Sequence, residues 1–336
     1  MPDSPHISIA FQTDKPLAEY GPLARLAEDA GFDGVTVYND LFYQPAWLPL
    51  LAIAHSTRRV TLGPAAVNPF TCHPINMAGQ IALIDEASGG RAYFGIARGA
   101  WLDALGLHPT RPIQAIREAL EIVAKLLVGD VSGYDGEVFH LVPGERLRWP
   151  ILRPRVPVLL GTWGESLITA TAHLIDEVKV GGTANPDMAR VMQERIARGV
   201  AANRAAEPAC RIGVCVGAVT VVDEDGAAAQ ALARREVAMY LPVVAALDPT
   251  YAIDPDELAR IKAAVAAGDQ ESAAAAISDA TLQRFAFAGA PRDIERQIAD
   301  LADAGVTRVE LGTPHGFDEA AAIRLLGEKV LPAFRR

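Results

Sequence analysis

Two neighbouring stretches of the chain decide its fold: Arg59-Val-Thr-Leu-Gly-Pro-Ala-Ala-Val-Asn-Pro-Phe-Thr-Cys-His-Pro74 and Leu83-Ile-Asp-Glu-Ala-Ser-Gly-Gly-Arg-Ala-Tyr-Phe-Gly-Ile-Ala-Arg-Gly99. The first opens with a short apolar run typical of a strand, then breaks into small residues and prolines. The second starts as the end of a helix, stops at paired glycines, and continues into another apolar run. Together they predict strand, bulged loop, helix and strand, the repeating unit of a parallel sheet.

This unit recurs along the chain. Short apolar runs alternate with longer segments of helical period, such as Leu17 to Ala30, which stops at Gly31, and Ile113 to Val128, which stops at Gly129. We count eight strands: Ile7 to Phe11, Gly34 to Tyr38, Val60 to Leu62, Ala92 to Ile96, Val156 to Leu160, Glu177 to Val180, Ile212 to Val222 and Arg308 to Leu311. Eight such units predict an α/β fold of the (β/α)8 TIM-barrel type.

An open doubly wound sheet is the alternative, and it is disfavoured because no Gly-x-Gly-x-x-Gly turn follows the first strand. Two segments exceed a minimal barrel. Residues 131–155, with Tyr134-Asp-Gly136 between β-like runs, predict a hairpin excursion, and residues 240–287 predict an alanine-rich helical insertion. We therefore expect a single barrel domain over residues 1–336 with these two excursions.

Bulk properties exclude several classes of protein. The chain has 336 residues, half of them apolar, and a formal charge of −10, which opposes nonspecific binding to nucleic acid or anionic membranes. It has no long apolar run, and Met1-Pro-Asp-Ser does not resemble a secretory signal, so we expect a cytoplasmic location. Cys72, Cys210 and Cys215 lack metal-ligand spacing and are too few for a disulfide framework. We expect reduced thiols, Cys215 packed within a strand, and no metal site.

In a barrel of this type, functional groups gather on the loops that leave the carboxyl ends of the strands. The loops after strands two, three and four are Tyr38-Asn-Asp-Leu-Phe42, Gly63-Pro-Ala-Ala-Val-Asn-Pro69 and Ala97-Arg-Gly-Ala-Trp101. Those after strands five, six and eight are Gly161-Thr-Trp-Gly-Glu-Ser166, Gly181-Gly-Thr-Ala-Asn-Pro186 and Gly312-Thr-Pro-His-Gly316. We expect a small-molecule site among them.

The order of these motifs resembles the bacterial-luciferase-like flavin and deazaflavin oxidoreductases. Within that superfamily the chain is most similar to the group of methylenetetrahydromethanopterin reductases, which use the deazaflavin coenzyme F420. The C-terminal runs Phe287-Ala-Gly-Ala-Pro-Arg-Asp293 and Leu326-Gly-Glu-Lys-Val-Leu-Pro332 share this resemblance. It covers nearly the whole chain and is weakest in the two excursions, which in the family lie over the active face.

The resemblance implies a non-prolyl cis peptide between Ala65 and Ala66, in a bulge that supports the central ring of the coenzyme. It also implies that the coenzyme phosphate binds where the fifth and sixth strands lead into helices, since helix-start amides bind anions. Ordinary helix capping by Thr162, Ser166 and Asn185 is the alternative. The implied cofactor-binding residues are Asn39, Asp40, Ala65, Ala66, Asn68, Arg98, Gly99, Gly161, Thr162, Trp163, Gly164, Gly181, Gly182 and Thr183.

Three residues are candidates for proton handling in catalysis. Asp40 follows a strand and either contacts the cofactor ring, acts as an acid, or only forms a turn. His315 has an imidazole suited to proton transfer near neutral pH, or is only a solvated loop residue. Arg98 either contacts the cofactor or only pairs with a neighbouring carboxylate.

The sequence departs from the reductase pattern at three polar positions. Ala10, Leu41 and Ala100 stand where relatives carry a glutamate, a histidine and an acidic residue. These losses argue against a methanopterin substrate. The resemblance still implies hydride transfer between F420 and a small organic substrate at an activated C=C, C=N or carbonyl carbon, in a homodimer. The alternatives are an FMN-dependent monooxygenase of the same fold and a flavin- or deazaflavin-binding protein without turnover.

Overall fold

The computed structural model describes residues 4–207 and 211–335, so Cys210 lies outside the described residues. Its strands are β1 (His6–Phe11), β2 (Gly34–Val37), β3 (Thr61–Pro64), β4 (Phe94–Ala97), β5 (Tyr134–Asp135), β6 (His140–Leu141), β7 (Val158–Gly161), β8 (Glu177–Gly181), β9 (Gly213–Val222), β10 (Ala286–Gly289) and β11 (Arg308–His315). In this part of the chain, eight of them form a parallel sheet in the order β3-β2-β1-β11-β9-β8-β7-β4. Bridges from Leu62 to Ala92 and from Val67 to Ile96 join the two end strands.

Helices alternate with these strands and form the outer layer. They are α1 (Leu17–Ala30), α2 (Trp47–Ser56), α3 (Pro74–Ser88), α4 (Pro112–Val128), α5 (Glu165–Thr171), α6 (Pro186–Ala202), α7 (Gly226–Ala238), α8 (Leu241–Val244), α9 (Pro255–Ala266), α10 (Gln270–Ala276), α11 (Asp279–Phe285), α12 (Pro291–Asp303) and α13 (Glu319–Lys329). The outward side chains of the strands, including Ile9, Val35 and Leu311, pack beneath them in one large apolar core. The TIM-barrel prediction is therefore confirmed, and the open-sheet alternative is wrong because the sheet closes.

Each of the eight predicted strands is present, with ends displaced by a few residues. Helix α1 has the predicted bounds and ends at Gly31, whose φ of 97° is left-handed. Strand β10 was not predicted. It pairs only with Val219–Val222 at the outer end of β9, and its four residues, alanines and glycine around one phenylalanine, carry little strand signal.

The second excursion lies at the carboxyl end of the barrel, as expected. Helices α8 to α11 build a smaller apolar core with α7 and β10. A side chain at Gly182, directly after β8, would meet Val244 and Tyr240 of this segment. The insertion thus forms part of the wall next to the end of β8.

The first excursion packs against helices α3 and α4, with Phe139 edge-on to His73 at the start of α3. Strands β5 and β6 form the predicted hairpin, and the hairpin packs against α4. There the buried carboxylate of Glu118 accepts hydrogen bonds from the backbone N–H groups of Glu137, Val138 and Phe139 at 2.8 to 2.9 Å. The chain then runs down along α3, where Arg153 pairs with Asp85 at 2.7 Å.

None of the helices in the described part of the chain combines the length and apolar character that a bilayer span requires.

Glu118 is predicted to hold the hairpin through its charge. Burial alone would raise the pKa of this carboxyl, but the hydrogen bonds from the hairpin amides and from Gln114 outweigh burial and lower the pKa below its usual value. We expect Glu118→Gln to lower the free energy of unfolding by about 2 to 4 kcal/mol at neutral pH, since charged hydrogen bonds are lost and an amide group faces donors. Urea unfolding monitored by circular dichroism measures this loss.

The pH dependence of that difference follows from the lowered pKa. The stabilisation is fully present above the unfolded pKa of about 4.3 and is lost as the pH falls through the lower folded pKa. The difference between wild type and Glu118→Gln should therefore shrink in acid. The control is Glu137→Gln, which removes only an exposed ion pair with Arg111 and should cost less than about 1 kcal/mol. Equal losses in both variants would contradict the assignment.

Candidate active site at the barrel mouth

Small residues line the barrel axis at the carboxyl ends of the strands. Side chains alternate along a strand, so Gly161, Gly181, Gly217 and Gly312 face inward two residues after Leu159, Lys179, Cys215 and Glu310. A side chain built at Gly181 would meet only the Cε atom of Lys179, at 4.0 Å. The inner space above Lys179 is thus open, and the barrel has a mouth.

The floor of this mouth is polar. The ammonium group of Lys179 pairs with the carboxylate of Glu310, and both side chains are buried. Thr36 donates a hydrogen bond to the second oxygen of Glu310 at 2.7 Å, and the Tyr38 hydroxyl lies 3.5 Å from the first. The ring of Tyr38 lies 4.9 Å from the Lys179 ammonium. Since TIM-barrel interiors are normally filled by branched apolar side chains, this floor is unusual.

A second ion pair lies deeper in the barrel. Arg308 and Glu177 approach to 2.7 Å, and the Arg308 guanidinium lies 4.8 Å from the ring centre of Tyr93. The Tyr93 hydroxyl in turn hydrogen-bonds Thr36 at 2.7 Å, which connects the two ion pairs. Two cations and two carboxylates therefore balance each other inside the barrel.

The surroundings fix the protonation states of this floor. Burial alone would raise the pKa of Glu310, but Lys179 and Arg308 outweigh it and lower that pKa, so Glu310 is a carboxylate. Burial and the negative charge of Glu310 raise the pKa of Tyr38 well above its usual value, so Tyr38 stays a phenol. Burial also raises the pKa of the Cys215 thiol to about 12. Cys72 and Cys215 are free thiols, and Cys215 is buried in a strand as predicted.

The structure brings several predicted site residues to the rim. Asp40 accepts a hydrogen bond from Gln12 at 3.0 Å, so the ends of β1 and β2 are tied together there. Asn39 accepts from the backbone N–H of Ala46 at 3.0 Å and thereby orders the loop before α2. Arg98 is exposed on the loop after β4.

The bulge after β3 has the expected backbone. The Ala65–Ala66 peptide is cis, as the resemblance implies. Buried Asn68 accepts from the backbone N–H groups of Phe70 and Thr71, both at 3.0 Å. Its side-chain oxygen therefore closes the turn.

Gly99 has a left-handed φ of 82°, and a side chain there would approach the Asn68 amide to 2.9 Å. The ends of β3 and β4 thus meet closely at this point.

The turns after β7 and β8 differ in how many of their hydrogen-bonding groups are already engaged within the protein. After β8, the N–H groups of Gly182 and Thr183 both donate to the Gly217 carbonyl, at 2.6 and 3.2 Å. The Thr183 hydroxyl donates to the Arg284 carbonyl at 3.2 Å, and Asn185 caps α6 by accepting from Asp187. Helix capping is therefore the role of Asn185 here, and the N–H and hydroxyl of Thr183 are both engaged within the protein; binding of phosphate by Thr183 stays a prediction.

The turn after β7 is partly exposed. Thr162 accepts from the N–H of Gly164 at 3.0 Å, so its hydroxyl also serves the turn. Two arginines of α6 flank this turn: Arg195 donates to the Trp163 carbonyl, and Arg198 pairs with Glu165 at 2.8 Å.

His315 is not at the mouth, which corrects its assignment as a catalytic candidate. Its side chain is fully buried between the sheet and α13. The ring packs edge-on against Phe11 and lies 3.2 Å from Glu319. As the last residue of β11, with a left-handed φ of 72°, it turns away from the barrel axis.

Sequence reasoning missed Lys179, Glu310, Tyr38 and Gln12. One signal was available: Glu177-Val-Lys-Val180 and Arg308-Val-Glu-Leu311 alternate charged and apolar residues, so one face of each strand is charged. In a strand whose outer face is covered by helices, that charged face must point into the barrel.

Comparison with known proteins agrees with this architecture. The sequence profile of luciferase-like monooxygenases matches residues 4–308. The 5,10-methylenetetrahydromethanopterin reductase of Archaeoglobus fulgidus is 30% identical over 97% of this chain and 99% of its own length. The enzyme of the same name from Methanolobus tindarius is 28% identical over 96% of this chain and 98% of its own.

A solved structure has the same fold along its whole length. The coenzyme F420 dependent tetrahydromethanopterin reductase of Methanopyrus kandleri superimposes with a TM-score of 0.87 and 26% identity, covering 99% of this chain and 100% of that one. This chain therefore belongs to the luciferase-like monooxygenase family.

Proposed function

We propose that this protein is an oxidoreductase that transfers hydride between coenzyme F420 and a small organic substrate. The observation that carries the proposal is the full-length match to methylenetetrahydromethanopterin reductases, at 30% identity over 97% of the chain. The match includes both the barrel strands and the loops at their carboxyl ends. F420 is therefore favoured over FMN as the cofactor.

The mouth fits a flat ring system. Gly181 leaves open space beside the axis at the level where a TIM barrel places its reaction centre, and Gly161 and Gly217 add no side chains there. We propose that the ring binds between these glycines and the Ala65–Ala66 bulge, against Asn39, Asp40, Asn68, Arg98 and Gly99. When bound, F420 supplies a carbon-bound hydride, and the protein positions the acceptor and manages charge.

The anionic tail of the coenzyme needs local cations, because the chain as a whole carries −10. Exposed Arg98, and Arg195 and Arg198 beside the turn from Gly161 to Gly164, provide them. Thr162 and Trp163 belong to this turn. Gly181 and Gly182 are assigned to the ring side of the mouth, since the amide of Gly182 is already bonded to Gly217.

The substrate class follows from the charges around the mouth. Ala10 faces the axis next to Thr36 in the sheet register, and Leu41 and Ala100 lie on the rim loops, so the three missing polar groups all belong to this region. We therefore propose an acceptor with an activated C=C, C=N or carbonyl carbon other than a methanopterin.

We also propose that the protein is a homodimer and that the chain forms one domain, since both excursions pack on the barrel. Helix α2 is apolar on nearly all sides, which is typical of a helix buried on more than one face. Leu48 on α2 and Leu83 on α3 are nevertheless 60% and 52% exposed. Leu51 on α2 and Ile75 on α3 are also exposed. A partner subunit would cover them, and the free cysteines suit the reducing cytoplasm.

The first prediction from the proposed function is that the protein binds F420 and reoxidises its reduced form. Fluorescence titration should give saturable binding of oxidised F420. Stopped-flow mixing with reduced F420 should give turnover with at least one of cyclohexenone, cyclohexanone and pyrroline. The matched variant is Gly181→Val, which the open space tolerates but which fills the mouth; it should weaken binding at least 10-fold with an unchanged unfolding temperature.

Three outcomes would contradict this assignment. A two-band flavin spectrum with oxygen consumption would favour the FMN monooxygenase. Binding of F420 with no turnover across a broad acceptor panel would favour a non-catalytic binding protein. Equal binding by wild type and Gly181→Val would move the site away from the mouth.

The second prediction concerns Asp40. We expect Asp40→Ala to lower turnover or F420 affinity at least 10-fold, because it removes a carboxylate at the rim and releases Gln12. Steady-state kinetics and fluorescence titration measure the two quantities. The control is Asp187→Ala, another carboxylate near a strand end but engaged with Arg190 and Arg284. Unchanged values in Asp40→Ala would remove this residue from the site.

The third prediction is that the protein is a dimer with a mass near twice 35.7 kDa by light scattering. Leu48→Glu combined with Leu83→Glu should give monomers, since charges at an apolar interface are costly. Exposed Val128→Glu, on α4, is the control. A monomeric wild type would overturn the proposal.

A further inference from the structure

The inner ion pair between Lys179 and Glu310 is the strongest feature of the barrel without an assigned role. Lys179 lies on β8 two residues before Gly181, and a side chain built at Gly181 would meet nothing nearer than its Cε atom, at 4.0 Å. Its ammonium has three N–H donors. Glu310 takes one of them, the Tyr38 ring lies beside the group at 4.9 Å, and the remaining direction is the open mouth.

Stability is a poor reason for this pair to exist. Moving two charges out of water costs several kcal/mol per ion, and well-packed apolar residues often stabilise a fold as much or more. The barrel interior is where apolar packing would be simplest. A cation held at the base of a ligand-sized mouth is therefore better explained by chemistry in that mouth.

The other candidate proton donors fit less well. The His315 side chain is fully buried between the sheet and α13 and does not reach the mouth. Arg98 carries a guanidinium, which does not release its proton in proteins. Asp40 accepts a hydrogen bond from Gln12, as a carboxylate does. Lys179 is the cation on the floor that both faces the mouth and carries protons it can release.

We propose that Lys179 is the general acid of this site and that Glu310 is its positioning partner. This rests on the proposed F420 function. As hydride forms a bond to the acceptor carbon, the π electron pair of the C=O, C=N or conjugated C=C–C=O group moves onto the heteroatom. That atom takes a proton from Nζ of Lys179, whose N–H bond breaks to leave a neutral amine beside Glu310. Solvent returns the proton when the product leaves.

The neighbouring groups support this arrangement. Thr36 holds the far oxygen of Glu310, so the carboxylate is fixed relative to Lys179. Glu310 also lies against Gly217, where a side chain would approach its Cβ to 3.2 Å. Neither residue of the pair can turn away from the mouth without losing a bonded partner.

The first test separates chemistry from stability. Lys179→Met alone leaves Glu310 buried without its cation and is expected to destabilise the fold, so the informative variant is Lys179→Met combined with Glu310→Gln. We expect this double variant to unfold within a few degrees of wild type and to bind oxidised F420 within about threefold. Turnover of the acceptor reduced fastest by wild type should fall by about 100-fold or more, the usual contribution of a general acid. The control is Arg308→Met combined with Glu177→Gln, which removes the deeper ion pair and should change turnover less than about fivefold.

The second test needs no turnover. Reductive methylation with formaldehyde and cyanoborohydride, followed by peptide mass spectrometry, reports access to each of the five lysines. We expect Lys179 to be methylated slowly, by reagent that enters through the mouth. Saturating oxidised F420 should lower the rate of this methylation at least 10-fold further. Exposed Lys262 should be unaffected. In Glu310→Gln, Lys179 should react faster, because its anionic partner is gone.

Three results would overturn the proposal: turnover retained in the Lys179→Met, Glu310→Gln variant; equal loss of turnover in both double variants; or methylation of Lys179 that F420 does not slow. Failure of the proposed function looks different, since wild type would then not bind F420 in the fluorescence titration at all.

Discussion

The pairing of Lys179 with Glu310 over the inner face of β9 is the interaction on which the rest of the site depends. It places a carboxylate and an ammonium where most barrels have apolar layers, and it recruits Thr36, Tyr38 and, through Tyr93, the second pair of Arg308 and Glu177. Charges in a low-dielectric interior persist only when each is matched. The equal number of cations and carboxylates explains why this polar interior is compatible with a closed barrel.

This interior also explains how the chain can lack three polar groups that its resemblance leads one to expect. Ala10, Leu41 and Ala100 leave the rim of β1, β2 and β4 without those groups. The floor supplies charge from β8 and from β11, the strand that pairs with β1. The proposed acid at Lys179 requires an acceptor whose heteroatom points down the axis. It also implies a substrate small enough to enter between the glycines.

Much of the fold could be predicted from sequence because it depends on local signals. The strand positions follow from short apolar runs, and the ends of α1 and α4 follow from glycines that adopt left-handed conformations. The cis peptide at Ala65 could be expected only through the resemblance. The site was harder, because rim residues were chosen by their position after a strand. Position alone could not show that β11 extends to His315 and that the His315 side chain points outward. It also could not show that the N–H and hydroxyl of Thr183 donate to the carbonyls of Gly217 and Arg284.

In each of these cases the sequence position did not show which way a side chain points. The alternation of charged and apolar residues in β8 and β11 could have indicated that orientation for the inner face of these strands. Glu177 and Lys179 share one face of β8, and Arg308 and Glu310 share one face of β11, separated in the sheet by β9 alone. That strand carries Cys215 and Gly217 at the facing positions, and neither is large enough to keep the charges apart. Two opposite-charge pairs on strands so placed meet over the inner face of β9. Gly181, two residues beyond Lys179, leaves open space beside this pair.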